Sequence, residues 1–230
     1  MIIDALTRDF GRISLLAKGV RKSKSKTAGI LQPFIPLVIS YVGKAELKTL
    51  IDVERRTGSR PVRGIHSDII QPLSELKGLA LYCGFYINEL VGYFLHKYDP
   101  HPDLFGYYSE CLSSLADSSN IEAALRLFEL NLIECAGYGL QLEYDSNEKP
   151  IEPFKKYDFN VGQGPVEAVN GLFSGKTLLA LSSRELTDPQ VLSEAKILMR
   201  TVIDIYLQGR QLKSRAVISK VFATAQQVEK

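Results

Sequence analysis

The chain has 230 residues, 45% of them hydrophobic and 23% charged, three cysteines and a formal net charge of +2 at pH 7. This composition is typical of a soluble globular protein with one large domain or two small ones, and it excludes a disulfide framework. The charge is uneven: residues 1–60 hold twelve Lys and Arg against five Asp and Glu, with no acid between Asp9 and Glu46. We therefore predict a basic N-terminal module on an acidic body.

Short strands are predicted over residues 1–57. The runs RISLLAKGV, PFIPLVISYV and AELKTLIDVE are rich in Ile, Val and Leu, and Gly11, a basic loop and Gly43 separate them. Short strands with glycine turns indicate a small β-barrel or sandwich. Residues 58–71 are polar and contain Gly and Pro, which predicts a linker or surface loop before a second domain.

The segment KGVRKSKSKTAG at residues 18–29 places five cations within nine residues. Glycine, serine and threonine keep such a loop flexible and solvated. Lys and Arg on a mobile loop can neutralise phosphates and release counterions, so the charge by itself is equally compatible with a DNA contact and with a solvated hairpin that has no ligand. Neighbouring strands extend this track, whose predicted residues are Arg12, Lys18, Arg21, Lys22, Lys24, Lys26, Lys44 and Lys48.

Aromatic side chains that could stack on bases are sparse near this loop. The candidates are Phe10, Phe34 and Tyr41, and the last two can equally belong to the core. We therefore predict electrostatic DNA binding with little sequence preference and only a modest contribution from stacking.

From about residue 72 the apolar residues recur at helical spacing. This predicts a mainly helical domain over residues 72–230, with a strand-rich segment at about 143–173, and hence an α+β fold. The stretch LALYCGFYINELVGYFL at residues 79–95 is predicted to be a buried core helix, because Asn88 and Glu89 interrupt it too soon for a membrane span.

Capping residues mark the predicted helix boundaries. Asp103 and Asn120 are predicted N-caps. Asp188 followed by Pro189 predicts the start of a long helix that stops at Gly209.

No catalytic or metal-binding motif stands out. Cys83, Cys111 and Cys135 lie 28 and 24 residues apart, which matches no zinc-ligand pair and predicts buried thiols. Gly175-Lys176-Thr177 lacks the first glycine of a phosphate-binding loop, so Ser174 is predicted to cap a short helix. A nucleotide-dependent enzyme that uses this tripeptide is the alternative to a protein without enzymatic activity.

A second cationic cluster follows the last predicted helix stop, with Arg210, Lys213 and Arg215. Cations near a helix C-terminus are favourable by themselves. A second DNA contact, useful for holding two strands at once, is the other interpretation, and the sequence does not decide between them.

Five segments resemble the RecO family of bacterial recombination mediators: GRISLLAKGVRKSKSK, ILQPFIPLVISYVGKAELKTL, LYCGFYINEL, ALRLFELNLIECAGYGLQL and GRQLKSR, in this order along the chain. The resemblance implies an N-terminal OB-fold barrel, a helical domain and a small strand-rich insertion. Some members carry four zinc-binding cysteines in that insertion, whereas no cysteine follows Gly139 here, so no metal is expected. MIIDALTRDFGR resembles only the end of the family's first strand, so that strand is expected to be missing and the barrel incomplete.

The resemblance also implies a function. RecO-like proteins bind single- and double-stranded DNA and anneal complementary strands. With RecR they help to load RecA on strands coated by single-stranded-DNA-binding protein. We expect a cytoplasmic, nucleoid-associated protein with no cofactor, no small-molecule substrate and no membrane contact. An interaction adaptor whose basic loop only confers solubility is a further alternative.

Arg126 is the candidate contact for a protein partner. In the family, the helical domain receives the acidic, hydrophobic tail of single-stranded-DNA-binding protein, and the resemblance implies that Arg126 grips a tail carboxylate with two parallel bonds. The alternative is ordinary pairing on the helix surface, because Glu122 lies four residues before Arg126 and Glu129 three residues after it.

Overall fold

The computed structural model describes residues 1–20, 26–56, 75–117 and 120–228, with the backbone alone for Lys26 and for 221–228. The predicted linker at 58–71 lies outside the described residues, and so do residues 21–25 of the basic loop. What the described ranges contain is an N-terminal sheet, a set of helices and a second, smaller sheet, which confirms the predicted α+β class.

The N-terminal sheet has four strands in the order β1-β2-β4-β3. The β1–β2 hairpin is antiparallel, β2 pairs in parallel with β4, and β4 pairs antiparallel with β3. A five-residue helix, α1, lies between β2 and β3. The elements are β1 (Ile2–Thr7), β2 (Gly11–Leu16), α1 (Lys26–Ile30), β3 (Leu37–Val42) and β4 (Leu47–Arg55).

One expectation about this sheet is confirmed and one is corrected. Among the described residues the sheet is open, as expected of an incomplete barrel, because β1 and β3 each pair with one neighbour and not with each other. The N-terminal residues nevertheless form a full strand: β1 pairs with β2 from Ile2 opposite Leu16 to Thr7 opposite Gly11. The prediction of a missing strand was wrong because the turn closes this hairpin locally, with the Thr7 hydroxyl donating to the Gly11 carbonyl at 2.7 Å.

The sheet buries one face around its own small core. Alternation along the strands sends successive side chains to opposite faces. The buried residues of this core are Ile13, Leu15, Ala17, Val20, Leu50 and Val53.

Within residues 75–117 and 120–228, the second domain packs six helices around a separate core, with a three-stranded sheet in the order β6-β5-β7. The predicted strand-rich segment is confirmed, since all three strands fall between residues 156 and 174. The elements are α2 (Gly78–Phe94), α3 (Pro102–Asp117), α4 (Ile121–Cys135), β5 (Lys156–Asn160), β6 (Gly164–Glu167), β7 (Phe173–Ser174), α5 (Gly175–Ser183), α6 (Pro189–Tyr206) and α7 (Lys213–Val228).

Most of the predicted helix boundaries are confirmed. The side chain of Asn120 accepts from the Ala123 amide, and Asp188 accepts from the amides of the two residues after Pro189. Asp103 was predicted as an N-cap, which is wrong, because α3 already begins at Pro102 and Asp103 lies in its first turn. A carboxylate there is still favoured by the positive end of the helix dipole.

The prediction that α2 is a core helix is confirmed, since seven of its residues are buried. In the part of the chain that the structure describes, no helix is long and apolar enough to cross a membrane.

The sheet is attached to the helical domain at the C-terminal end of α2. Arg12 Nη1 donates to the carbonyls of Gly92 at 2.6 Å and Leu95 at 2.8 Å, and the Tyr98 amide donates to the Arg12 carbonyl at 3.0 Å. Gly11 lies so close to Asp99 that an added Cβ would sit 2.3 Å from the Asp99 carbonyl oxygen. The two domains therefore meet backbone to backbone at this point.

A second attachment is made by Phe34, which precedes β3. Its ring lies edge-on to Phe85 of α2, with 5.2 Å between centroids. At Gly84, an added Cβ would sit 2.9 Å from Phe34 Cζ, so the helix has space for the ring only because residue 84 is glycine. Phe34, predicted as either a stacking or a core residue, thus packs between the domains.

Substitution of Gly11 tests how tightly the two domains meet. Gly11 (φ 65°) and Gly19 (φ 74°) are both left-handed, but nothing lies within 4 Å of a Cβ at Gly19. Gly19→Ala should cost about 1 kcal/mol of unfolding free energy for the backbone conformation alone. Gly11→Ala should cost about 1–3 kcal/mol more, because the backbone of Asp99 must move. Urea unfolding of both variants measures the difference, and equal losses would contradict a tight junction.

Candidate nucleic-acid interface

The basic loop is only partly described. Lys18 is exposed, and α1 begins at Lys26. Arg21, Lys22 and Lys24 lie outside the described residues. Their DNA contact stays a prediction.

The cations predicted on the neighbouring strands have different surroundings. Lys44 is exposed in the turn between β3 and β4. Lys48 Nζ lies 5.1 Å from the centroid of the Tyr98 ring, a cation–π distance. The guanidinium of Arg12 contacts the last carbonyls of α2, where the helix dipole favours positive charge. Arg12 thus has a structural role, and its DNA contact stays a prediction.

The C-terminal cluster also divides into inner and outer members. Arg215 donates to Asp204 and, at 3.5 Å, to the Tyr86 hydroxyl, so its guanidinium faces inward. Arg210 and Lys213 are exposed, and the guanidinium carbon of Arg210 lies 5.9 Å from the ring centroid of Tyr93. These two residues are the outward-facing part of the cluster.

Glu89 holds the start of α7 against α2. Its carboxylate accepts from the amides of Lys213 and Ser214, both at 2.9 Å, and from the Ser214 hydroxyl. Burial by itself would raise the pKa of Glu89, but the hydrogen bonds from Ser214 and Lys213 outweigh it and lower the pKa. The ionised carboxylate therefore takes the place of an N-cap and fixes the position of the cationic cluster.

Arg126 lies in the core rather than on the surface of α4. Only 7% of the residue is exposed, and Nη2 donates to Glu129 Oε1 at 2.5 Å. The Tyr86 hydroxyl donates to the same oxygen at 2.6 Å. Among the described residues, Arg126 Nε and Glu129 Oε2 have no hydrogen-bond partner. Burial raises the pKa of Glu129, and the positive charge of Arg126 opposes that rise.

The alternative prediction, that Arg126 pairs with neighbouring glutamates of the helix, is confirmed for Glu129 and wrong for Glu122. Glu129 pairs with Arg126 as its spacing predicted, but the pair is buried. Glu122 instead bonds to Lys196 of α6 at 2.8 Å, because it points across to the neighbouring helix. The tail contact at Arg126 stays a prediction, and the burial of its guanidinium weighs against it.

A carboxylate is bonded to the start of α5 at the Gly-Lys-Thr segment. Ser174 caps α5, as predicted. Its amide and hydroxyl donate to Glu194 Oε2 at 2.6 and 2.7 Å, and Thr177 Oγ1 donates to the same oxygen at 2.8 Å. Lys176 pairs with Asp188 at 2.5 Å. A carboxylate thus occupies the helix N-terminus that would have to receive the anion.

No cluster of three or more potential metal ligands occurs within residues 1–20, 26–56, 75–117 and 120–228. Cys83 and Cys111 are buried, as predicted, and Cys135 is partly buried. Burial raises the pKa of Cys83 to about 11, so this thiol is protonated at neutral pH.

Two exposed tyrosines at this interface were missed in the sequence. Tyr93 and Tyr98 lie on and just after α2, each with a cation over its ring. Their sequence context indicated a core helix and a loop, and their cationic neighbours come from distant parts of the chain. The pairings of Lys48 with Tyr98 and of Arg210 with Tyr93, which join distant parts of the chain, identify the two tyrosines as candidate site residues.

Two protein-family models match the chain: "Recombination protein O N terminal" over residues 1–57 and "Recombination protein O C terminal" over residues 76–216. The chain belongs to the RecO family. Curated relatives carry the name DNA repair protein RecO. The protein from Dechloromonas aromatica is 38% identical over 96% of this chain and 89% of its own length. The protein from Methylococcus capsulatus is 40% identical over 94% of this chain and 84% of its own length.

Double substitution tests whether Arg126 and Glu129 form a structural pair. Arg126→Met or Glu129→Leu alone should lower the unfolding free energy by about 3–5 kcal/mol, because each leaves a buried charge unpaired. The double variant should lose much less, since both charges are then removed. Urea unfolding of all four proteins gives the coupling free energy. Strictly additive losses would contradict the pairing.

Glu194 should make the protein sensitive to acid. Burial opposes its ionisation, but hydrogen bonds from Ser174 and Thr177 lower its pKa to about 2. Because the folded pKa lies below the ordinary 4.5, the stabilisation is complete above pH 4.5 and is lost as the pH falls towards 2.

Unfolding measured between pH 7 and pH 2.5 tests this dependence. Glu194→Gln should be less stable than wild type at pH 7 by up to about 3 kcal/mol, and the gap should close towards pH 2.5. Glu110→Gln, at an exposed position of α3, controls for the loss of one carboxylate. A gap that stays constant with pH would contradict the role of the ionised Glu194.

Proposed function

We propose that this RecO-family chain is a non-enzymatic mediator of recombination in DNA repair. It binds single- and double-stranded DNA, anneals complementary strands, and with RecR helps to load RecA on strands coated by single-stranded-DNA-binding protein. The observation that carries the proposal is the match of both RecO family models, which together cover most of the chain. The names of the curated relatives, DNA repair protein RecO, support it.

The charge distribution supports DNA as the main ligand. The N-terminal module is basic, and Lys18, Lys44, Arg210 and Lys213 are exposed. Arg12 and Arg215 are occupied by internal contacts, so we expect smaller direct contributions from them. The proposed DNA-binding residues are Arg12, Lys18, Arg21, Lys22, Lys24, Lys26, Lys44, Lys48, Arg210, Lys213 and Arg215.

The proposed mechanism needs no nucleotide, cofactor or metal. Cations that neutralise phosphates on two strands lower their mutual repulsion, which brings complementary strands together. The proposed site of action is the bacterial cytoplasm at the nucleoid. DNA-stimulated ATP hydrolysis would favour the nucleotide-dependent alternative, against which the Glu194 carboxylate at the start of α5 already counts.

A salt series tests the DNA contact of the basic loop. The variant in which Arg21, Lys22, Lys24 and Lys26 become Gln should bind fluorescent single-stranded DNA more weakly in anisotropy titrations. Its log–log salt slope should shrink by about three units if all four side chains contact phosphate, since each contact contributes about 0.7.

A control variant with the same net charge shows whether DNA binding depends on the position of the cations or only on the net charge of the protein. Replacing Lys149, Lys155, Lys176 and Lys196 by Gln removes four positive charges from the helical domain, the same number as in the loop variant. Most of these lysines form exposed ion pairs, such as Lys155 with Glu152, and such pairs contribute little to the free energy of unfolding. Its salt slope should stay near that of wild type. Equal slopes for the two variants would contradict a specific role of the loop, and the absence of any DNA binding by wild type would contradict the proposed function.

A further inference from the structure

Exposed aromatic side chains gather where the N-terminal sheet meets α2. Tyr93 is 37% exposed, Tyr98 38% and Phe10 57%. They belong to three different segments: the last turn of α2, the loop after it, and the β1–β2 turn. Single exposed aromatic side chains are common on protein surfaces, so the cations beside the two tyrosine rings, and not exposure alone, point to a binding role.

Tyr98 is held in a fixed, strained position. Its φ is 61°, which is unusual for a residue with a bulky side chain. Its amide donates to the Arg12 carbonyl, its hydroxyl donates to the Glu46 carbonyl, and Lys48 Nζ lies over its ring. Strain that the surrounding structure maintains is commonly found at functional sites.

Tyr93 is positioned on the other side of the same junction. It lies four residues after Glu89 and so shares the face of α2 on which Glu89 caps α7. On that face Arg210 covers one side of its ring. Both exposed tyrosines therefore carry a cation, one from the sheet and one from the C-terminal cluster.

Arg12 joins the two tyrosine-bearing segments. Its guanidinium bonds to the carbonyl of Gly92, next to Tyr93, and its own carbonyl accepts from the Tyr98 amide. Gly11 packs on Asp99, and the ring of the preceding Phe10 lies edge-on to Tyr41 of β3. The two segments that carry Tyr93 and Tyr98 are thus both bonded to Arg12.

Three acidic side chains at this junction have polar partners. Glu46 pairs with Lys97 at 2.9 Å, and Glu89 is occupied by the start of α7. The Asp99 carboxylate lies 3.2 Å from His101 Nε2. A DNA backbone approaching the junction would meet Lys48 and Arg210, the cations beside the two tyrosine rings, and the exposed Lys213.

We propose that Tyr93 and Tyr98, with Arg210 and Lys48, form a base-stacking platform that connects the basic sheet to the C-terminal cationic cluster and binds single-stranded DNA. The inference rests on the proposed DNA-binding function and adds a site outside the basic loop. Aromatic rings stack on unpaired bases of any sequence, whereas the bases of a duplex are already stacked. The platform therefore favours single strands over duplex.

Leucine and phenylalanine variants test the platform. Tyr93→Leu and Tyr98→Leu should each weaken binding of an oligothymidylate about tenfold, which corresponds to about 1.4 kcal/mol, and should leave duplex affinity nearly unchanged. Tyr98→Phe keeps the ring and removes the hydroxyl that bonds to Glu46, so it should bind like wild type. If Tyr98→Phe weakens binding as much as Tyr98→Leu, the hydroxyl bond at the junction is what matters, and the platform is wrong.

A fluorescence measurement reads stacking directly. The chain contains no tryptophan, so Tyr93→Trp introduces a single reporter. Its emission should be strongly quenched as oligothymidylate is added. Phe154→Trp, at a fully exposed position beside the small sheet, is the control and should show little quenching.

The outcomes separate this inference from the proposed function. If anisotropy shows DNA binding by wild type while the leucine variants bind equally well and the Tyr93→Trp emission is unchanged, the platform is overturned and the proposed function stands. If wild type binds no DNA at all, both are overturned.

Discussion

The bond between Arg12 and the C-terminal end of α2 is the central polar contact between the two domains. The last carbonyls of a helix have no intrahelical donor, and a guanidinium supplies several donors in one plane. Here one nitrogen contacts the carbonyls of Gly92 and Leu95, while the backbone of the same residue pairs with Tyr98. The contact is polar and directional, so it sets orientation as well as proximity.

The candidate interface depends on this orientation of the two domains. The position of α7 depends on Glu89, and α2 provides both Glu89 and the carbonyls that Arg12 contacts. One helix therefore positions the sheet at its C-terminal end and the C-terminal cationic cluster along its side. Cations that are far apart in the chain are thereby placed around a single junction, where a nucleic-acid strand can meet several of them at once.

Several arginines of this protein make internal contacts that stabilise the fold. Arg126 is paired with the buried Glu129, and Arg215 bonds to Asp204 and Tyr86. Removing one member of the Arg126–Glu129 pair leaves an unpaired buried charge, which costs far more than a surface pair contributes. Loss of DNA or partner binding in a variant of these residues must therefore be read together with its stability.

The sequence by itself determined the element types, the helix caps at Asn120, Ser174 and Asp188, and the family, because these depend on local spacing and on recognisable segments. It did not determine which cations remain exposed. Arg12 and Arg126 look like surface ligands in the chain, and the tertiary structure gives both internal partners. Nor did it pair Tyr93 and Tyr98 with Arg210 and Lys48. Burial and distant pairing depend on how the two domains meet, which local patterns do not encode.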